Sequence, residues 1–148
     1  MKLLCFYFLM LSLGLCSQNP NYNDSLARKL GADEYGMKKY ILVLLKTGSN
    51  TGAQKAFTDS CFRGHMENME VMVKAGKLVV AGPLGKNEKT YRGLFILNLQ
   101  SFEEASVLLQ SDPAIKAKLL EPELFNWYGS AALPVYLETS DKIWQKGH

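Results

Sequence analysis

Tyr40-Ile41-Leu42-Val43-Leu44-Leu45 is an unbroken apolar run bounded by Lys38-Lys39 before it and by Lys46 and the Gly48 to Gly52 loop after it. The run is strand length and lacks helical spacing, so it reads as the first strand of the domain. A strand with one wet face would alternate apolar and polar residues, and this one does not. The same holds for Leu78 to Ala81 and for Leu94 to Leu97. Both faces of the sheet they build must therefore be covered.

Downstream, Ala53 to Ala75 is predicted to be a helix, with Phe62, Met66, Met69 and Val73 at spacings of four, three and four. Asp59 with Arg63 and Glu70 with Lys74 are placed to pair at i,i+4 on its wet side, and Gly76 ends it. Lys77 to Ala81 is a second strand closed by Gly82-Pro83, and Tyr91 to Leu99 a third, the two forming a hairpin. Ser101-Phe102-Glu103-Glu104 is a capping box that starts a second helix, with Phe102, Ala105 and Leu109 inward and an end near Ser111. Asp112-Pro113 restarts a helical turn through about Leu119, with Asp as N-cap and Pro at N1. Glu123 to Ser130 is the last strand.

The order β-α-β-β-α-β is the ferredoxin-like α+β arrangement, and right-handed crossovers put both helices on one face of a four-stranded antiparallel sheet. No further long helix remains to cover the other face. A second copy packed sheet to sheet would cover it, making a homodimer that closes into a dimeric α+β barrel. The alternative cover is the chain's own ends, the polar arm before the domain and the tail from Leu133 to His148, including Trp144.

The chain divides accordingly into a signal peptide (1–17), a polar arm with a short helix begun by Asp24 or Ser25 and ended by Gly31 (18–37), the domain (38–131) and a tail (132–148). The signal reading rests on basic Lys2, the apolar stretch Leu3 to Leu15 and the polar Ser17-Gln18-Asn19-Pro20. A membrane span needs about 20 apolar residues, so cleavage near Cys16 to Gln18 and export are expected rather than an anchor. Lipidation at Cys16 is the lesser alternative, since bulky Leu15 stands where a lipobox wants a small residue. Without the signal, 16 basic and 14 acidic residues leave a charge of +2 and Cys61 alone. That balance excludes the basic stripe of a nucleic-acid binder, and one thiol cannot close an internal disulfide.

The 148 residues contain two histidines, and the second, His148, ends the chain. His65 with Cys61 one turn earlier is too small a ligand set for zinc, so no metal is expected. Dinucleotide, P-loop and serine-elbow motifs are absent, and the Gly48 to Gly52 loop, which lacks a Gly-Lys-Ser/Thr ending, reads as an ordinary connection. His65 lies at the edge of the helix's apolar row. It is either a packed structural histidine or a general base, a role imidazole suits near neutral pH. Asp112 is placed to cap a helix, and a capping carboxylate can also orient an imidazole if the two meet. A haem-ligating role for His65 is a third, minor reading. Trp127 and Tyr128 on the last strand, and Arg92 on the third, are candidates for lining a ligand pocket. Packing and a solvated strand end are their plainer explanations.

Phe62-Arg63-Gly64-His65-Met66, Gly76 to Leu84, Gly93-Leu94-Phe95-Ile96, Ser101 to Ala105 and Ser111-Asp112-Pro113, in that order, resemble the YciI-like family (YCII-related domain) over roughly Lys38 to Ser130. The resemblance implies a dimeric α+β barrel and an active site of a helix histidine and an Asp-Pro aspartate, which fall here on His65 and Asp112. It implies small-molecule chemistry such as dehydrochlorination; an acid–base pair of this kind is expected to require no cofactor. Related barrels include isomerases and cofactor-independent oxygenases, and fold alone does not choose among them. The export signal, arm and tail depart from the family's usual pattern. The expected function is an exported enzyme acting on a small organic molecule by elimination, isomerisation or hydrolysis, the alternative a non-catalytic dimer that binds a ligand or protein.

Overall fold

The computed structural model describes residues 19–140 and 142–145. The expected signal peptide, Cys16 and His148 lie outside the described residues. Among them no helix is long and apolar enough to cross a membrane.

The chain forms α1 (Asp24–Leu30), β1 (Met37–Thr47), α2 (Lys55–Lys74), β2 (Leu78–Pro83), β3 (Tyr91–Leu97), α3 (Phe102–Leu109), α4 (Pro113–Lys116) and β4 (Leu120–Ser130). A 3₁₀ turn, Leu133–Tyr136, and α5 (Leu137–Ser140) follow. The four strands make one antiparallel sheet in the order β2-β3-β1-β4, the ferredoxin-like α+β topology. β1 and β4 are longer than their apolar runs suggest because they pair with each other over their full lengths, from Met37 opposite Ser130 to Thr47 opposite Leu120.

Residues directly opposite on antiparallel strands share a face, so the register sorts the side chains. Ile41, Val43, Leu45, Phe95 and Leu97 point to the helices and form the core with Cys61 and Met72 of α2 and Ala105 and Leu109 of α3. The buried row of α2 is Cys61, His65 and Met72, while Phe62, Met69 and Val73 flank it half-buried. The expected row was therefore offset by one residue. The helix's apolar stripe is wide enough to admit either phase, and Phe95 across the interface selects this one. Two smaller expectations also change. Phe102, first residue of α3, is 39 % exposed rather than inward, and Asp59 pairs with Lys55, not Arg63. Ser101 Oγ accepts from Glu104 N as the capping box requires.

On the other face, Leu42, Leu44, Val80, Leu94 and Ile96 are half-buried, and Phe125 opposite Leu42 is 45 % exposed. Chain ends close part of it. The tail passes from edge strand β4 to edge strand β2, where Tyr136 donates to the Val79 carbonyl at 2.6 Å. That carbonyl belongs to the extra residue of a bulge between Leu78 and Val80, outside the regular ladder. At the same end Tyr40 is fully buried beside Trp127, whose indole occupies the space a Cβ on Gly129 would need. The centre of the face stays uncovered.

The arm is tied to the helix-side face of β4. Asp33 accepts from the amides of Tyr35 and Met37 and from the Tyr128 hydroxyl. These bonds hold the Asp33 carboxyl below the usual range, the Tyr128 hydroxyl contributing most, and Asp33 in turn pushes Tyr128 up to about 12. A raised tyrosine stabilises the folded arm below its ordinary pKa of about 10, and the effect is lost as pH climbs towards 12. A lowered carboxyl stabilises above about pH 4, and the effect is lost as pH falls below that. Amide-exchange protection of Leu26 to Leu30 is thus expected to be flat between those limits and to fall on both flanks. Tyr128→Phe should abolish the alkaline flank, shrink the acid flank to what the Tyr35 and Met37 amides sustain, and remove one late-titrating tyrosine from the absorbance near 295 nm. Unchanged flanks in the variant would refute the link.

Candidate functional site

α4 is a single turn, and Asp112 makes it. Its Oδ1 accepts from Ala114 N at 2.9 Å and from Ile115 N at 3.2 Å, the N-cap expected before Pro113. Its Oδ2 lies 2.6 Å from His65 Nδ1, so one fully buried carboxylate both caps α4 and bridges to α2. The two functions use different oxygens and do not compete.

The imidazole is packed as well as bonded. Its ring stacks on Phe95 at 5.8 Å and meets Phe62 edge-on at 6.2 Å, and the side chain keeps 11 % of its exposure. It sits within the buried row, not at its edge. The amides of Ala114 and Ile115 occupy Oδ1, which leaves Oδ2 for His65, and with Asp112 as a carboxylate that oxygen accepts its hydrogen bond from Nδ1–H of the imidazole. Nε2 then carries the lone pair, and it has no hydrogen-bond partner among the described residues.

Two features missed in the sequence bring α2 and α4 together. Gly64 lets the helices touch, since a Cβ there would stand 2.8 Å from Pro113 Cγ. Asn68, one turn after His65, meets the hydroxyl of Ser111, the residue before Asp112, at 3.0 Å, a second link parallel to the first. The signal for Gly64 was its place beside His65 in a helix, where glycine is unfavourable unless contact requires it. The Gly48 to Gly52 loop is also more than a connection. Gly48 N donates to Leu119 O at 2.9 Å, and Asn50 holds Lys118 O through its backbone at 2.9 Å and Ala117 O through its amide at 3.0 Å. It anchors the end of α4.

The other sequence candidates do not join this site. Arg92 is the exposed extra residue of a β3 bulge, between Gly93 opposite Leu45 and Tyr91 opposite Lys46. Trp127 lies on the uncovered face against Tyr40, near the other end of β1. Tyr128 points to the opposite side and is engaged by Asp33. None of the three lines either of the two described cavities. Beside the dyad, between α2 and α4, lies a groove of about 370 Å³ lined by Phe57, Cys61, Pro113, Lys116 and Ala117. Among the described residues no cluster of three or more His, Cys, Asp or Glu is arranged to hold a metal ion.

No protein-family profile matches the chain, and no curated protein does. Among solved structures it is similar to 5-chloro-2-hydroxyhydroquinone dehydrochlorinase (TftG) from Burkholderia phenoliruptrix AC1100, in complex with 2,5-dihydroxybenzoquinone. The match has a TM-score of 0.41 and 22% identity and covers 58% of this chain and 92% of that one.

Proposed function

We propose that the chain is an exported YciI-like protein that acts on a small organic molecule by general acid–base chemistry. His65 moves the proton and Asp112 holds the imidazole. One observation carries the reading: a buried carboxylate, itself pinned by two backbone amides, sits 2.6 Å from His65 Nδ1 and leaves Nε2 as the free base. A base oriented in this way contributes about 10² to 10⁴ in rate to a proton transfer and suits elimination, isomerisation or hydrolysis. The family assignment is supported by the order of the quoted motifs, and export by the apolar stretch Leu3 to Leu15.

The test is independent of the final reaction. A general base catalyses exchange of a substrate's labile carbon-bound proton, so a panel of small carbonyl and hydroxyaromatic compounds in D₂O is followed by NMR with wild type and His65→Gln. Exchange or turnover that the variant loses by at least about 100-fold is expected. A panel in which the two proteins behave alike would overturn the reading in favour of a binding module, which the close packing of His65 between Phe62 and Phe95 favours.

Homodimerisation belongs to the same proposal. Leu42, Leu44, Leu94, Ile96 and Phe125 form an apolar surface that the tail leaves uncovered, and a second sheet is the complementary shape. Light scattering should give twice the chain mass for wild type and a folded monomer for Phe125→Glu. A monomeric wild type would sink the pairing.

A further inference from the structure

The groove between α2 and α4 has a composition the dyad does not account for. Cys61 on its wall is one turn before His65, and Pro113 directly follows Asp112, so it runs along the flank of the proposed catalytic pair. Phe57, Cys61, Pro113 and Ala117 make it apolar, and Phe57, 49 % exposed, keeps an aromatic face at the surface. The groove is shallow and open to solvent, and its volume of about 370 Å³ leaves room for a small molecule lying along the surface. Its single charged residue is Lys116, exposed on the last turn of α4. Lys116, like most lysines other than the ion-paired Lys46, Lys55 and Lys74, has no acidic partner among the described residues; what sets it apart is its place on the groove. An apolar trough with one uncommitted cation at its rim is complementary to a molecule with an apolar body and one negative charge.

We propose that this groove binds a small apolar carboxylate, its body against Phe57, Pro113 and Ala117 and its charge on Lys116. The binding stands on the groove alone, while its role as the substrate site rests on the acid–base reading. The other large cavity, about 450 Å³ and rimmed by Glu103, Glu104 and Lys77, lacks this complementarity and does not adjoin the dyad.

The probe is benzoate, titrated into the ¹⁵N-labelled protein and followed through backbone amide shifts. Saturable shifts at Cys61, Lys116 and Ala117 are expected, weakened about three- to fivefold in Lys116→Met, the effect of losing one exposed ion pair. Benzamide, of the same shape without the charge, should bind wild type as weakly as benzoate binds the variant, and inorganic phosphate should leave the groove amides unmoved. Absence of groove shifts with benzoate, equal shifts with phosphate, or unchanged affinity in Lys116→Met would each overturn the assignment. Failure of the catalytic reading looks different: benzoate still binds, and His65→Gln leaves proton exchange intact. Loss of exchange in His65→Gln with no benzoate at the groove rejects the groove alone.

Discussion

Asp112→Asn is expected to switch the His65 tautomer and to lower turnover by about 100-fold or more, with the fold retained. The amides of Ala114 and Ile115 need an acceptor, so an asparagine at 112 keeps its carbonyl oxygen on them and turns its NH₂ towards His65. Nδ1 must then accept, the ring proton moves to Nε2, and the free base is lost although every contact survives. Long-range ¹H–¹⁵N correlation on the imidazole reads the change directly, as Nδ1–H in wild type and Nε2–H in the variant. Residues that act as a unit are not additive, so Asp112→Asn combined with His65→Gln should be about as slow as His65→Gln alone. Identical tautomers in wild type and variant would refute the role given to Asp112.

Gly48→Ala is expected to cost about 3 kcal/mol, lowering the melting temperature by roughly 10–15 °C. A Cβ at Gly48 would stand 2.1 Å from Lys118 O and 2.7 Å from the same carbonyl carbon, which is backbone and cannot rotate aside. Lys118 is already held in the left-handed region at a φ of 57°, so the turn has little freedom to retreat. Relief requires separating the loop from the α4–β4 turn, breaking the bonds from Gly48 N and Asn50 N. Because that turn fixes the end of α4, the His65–Asp112 link should loosen too, and activity should fall before the protein unfolds. Thermal melts and His65 ring shifts measured together check both effects. A variant as stable as wild type would show the contact to be slack.

Local chemistry made several features legible. The cap at Ser101, the N-cap at Asp112 and the glycine ends of α1 and α2 are properties of a few neighbouring residues, and they appear where expected. The apolar character of both sheet faces was readable because consecutive apolar residues leave no polar side. His65 and Asp112 are 47 residues apart, and no spacing rule links them. Residue chemistry raised the pair as a possibility and the motif resemblance pointed to it, but it is the packing of α2 on α4, through Gly64 against Pro113 and Asn68 against Ser111, that brings their side chains together.

By itself, then, the sequence determined the order of elements, the two-faced sheet and the identity of the candidate residues, because these depend on period, propensity and side-chain type. The tertiary structure decided which row of α2 is buried, that the tail reaches across to Val79, that Trp127 and Tyr128 face opposite ways, and that Asp112 caps α4 and binds His65 at once. Each depends on what another element presents at the point of contact. A stripe wide enough for two phases, or a carboxylate with two free oxygens, holds no record of that along the chain.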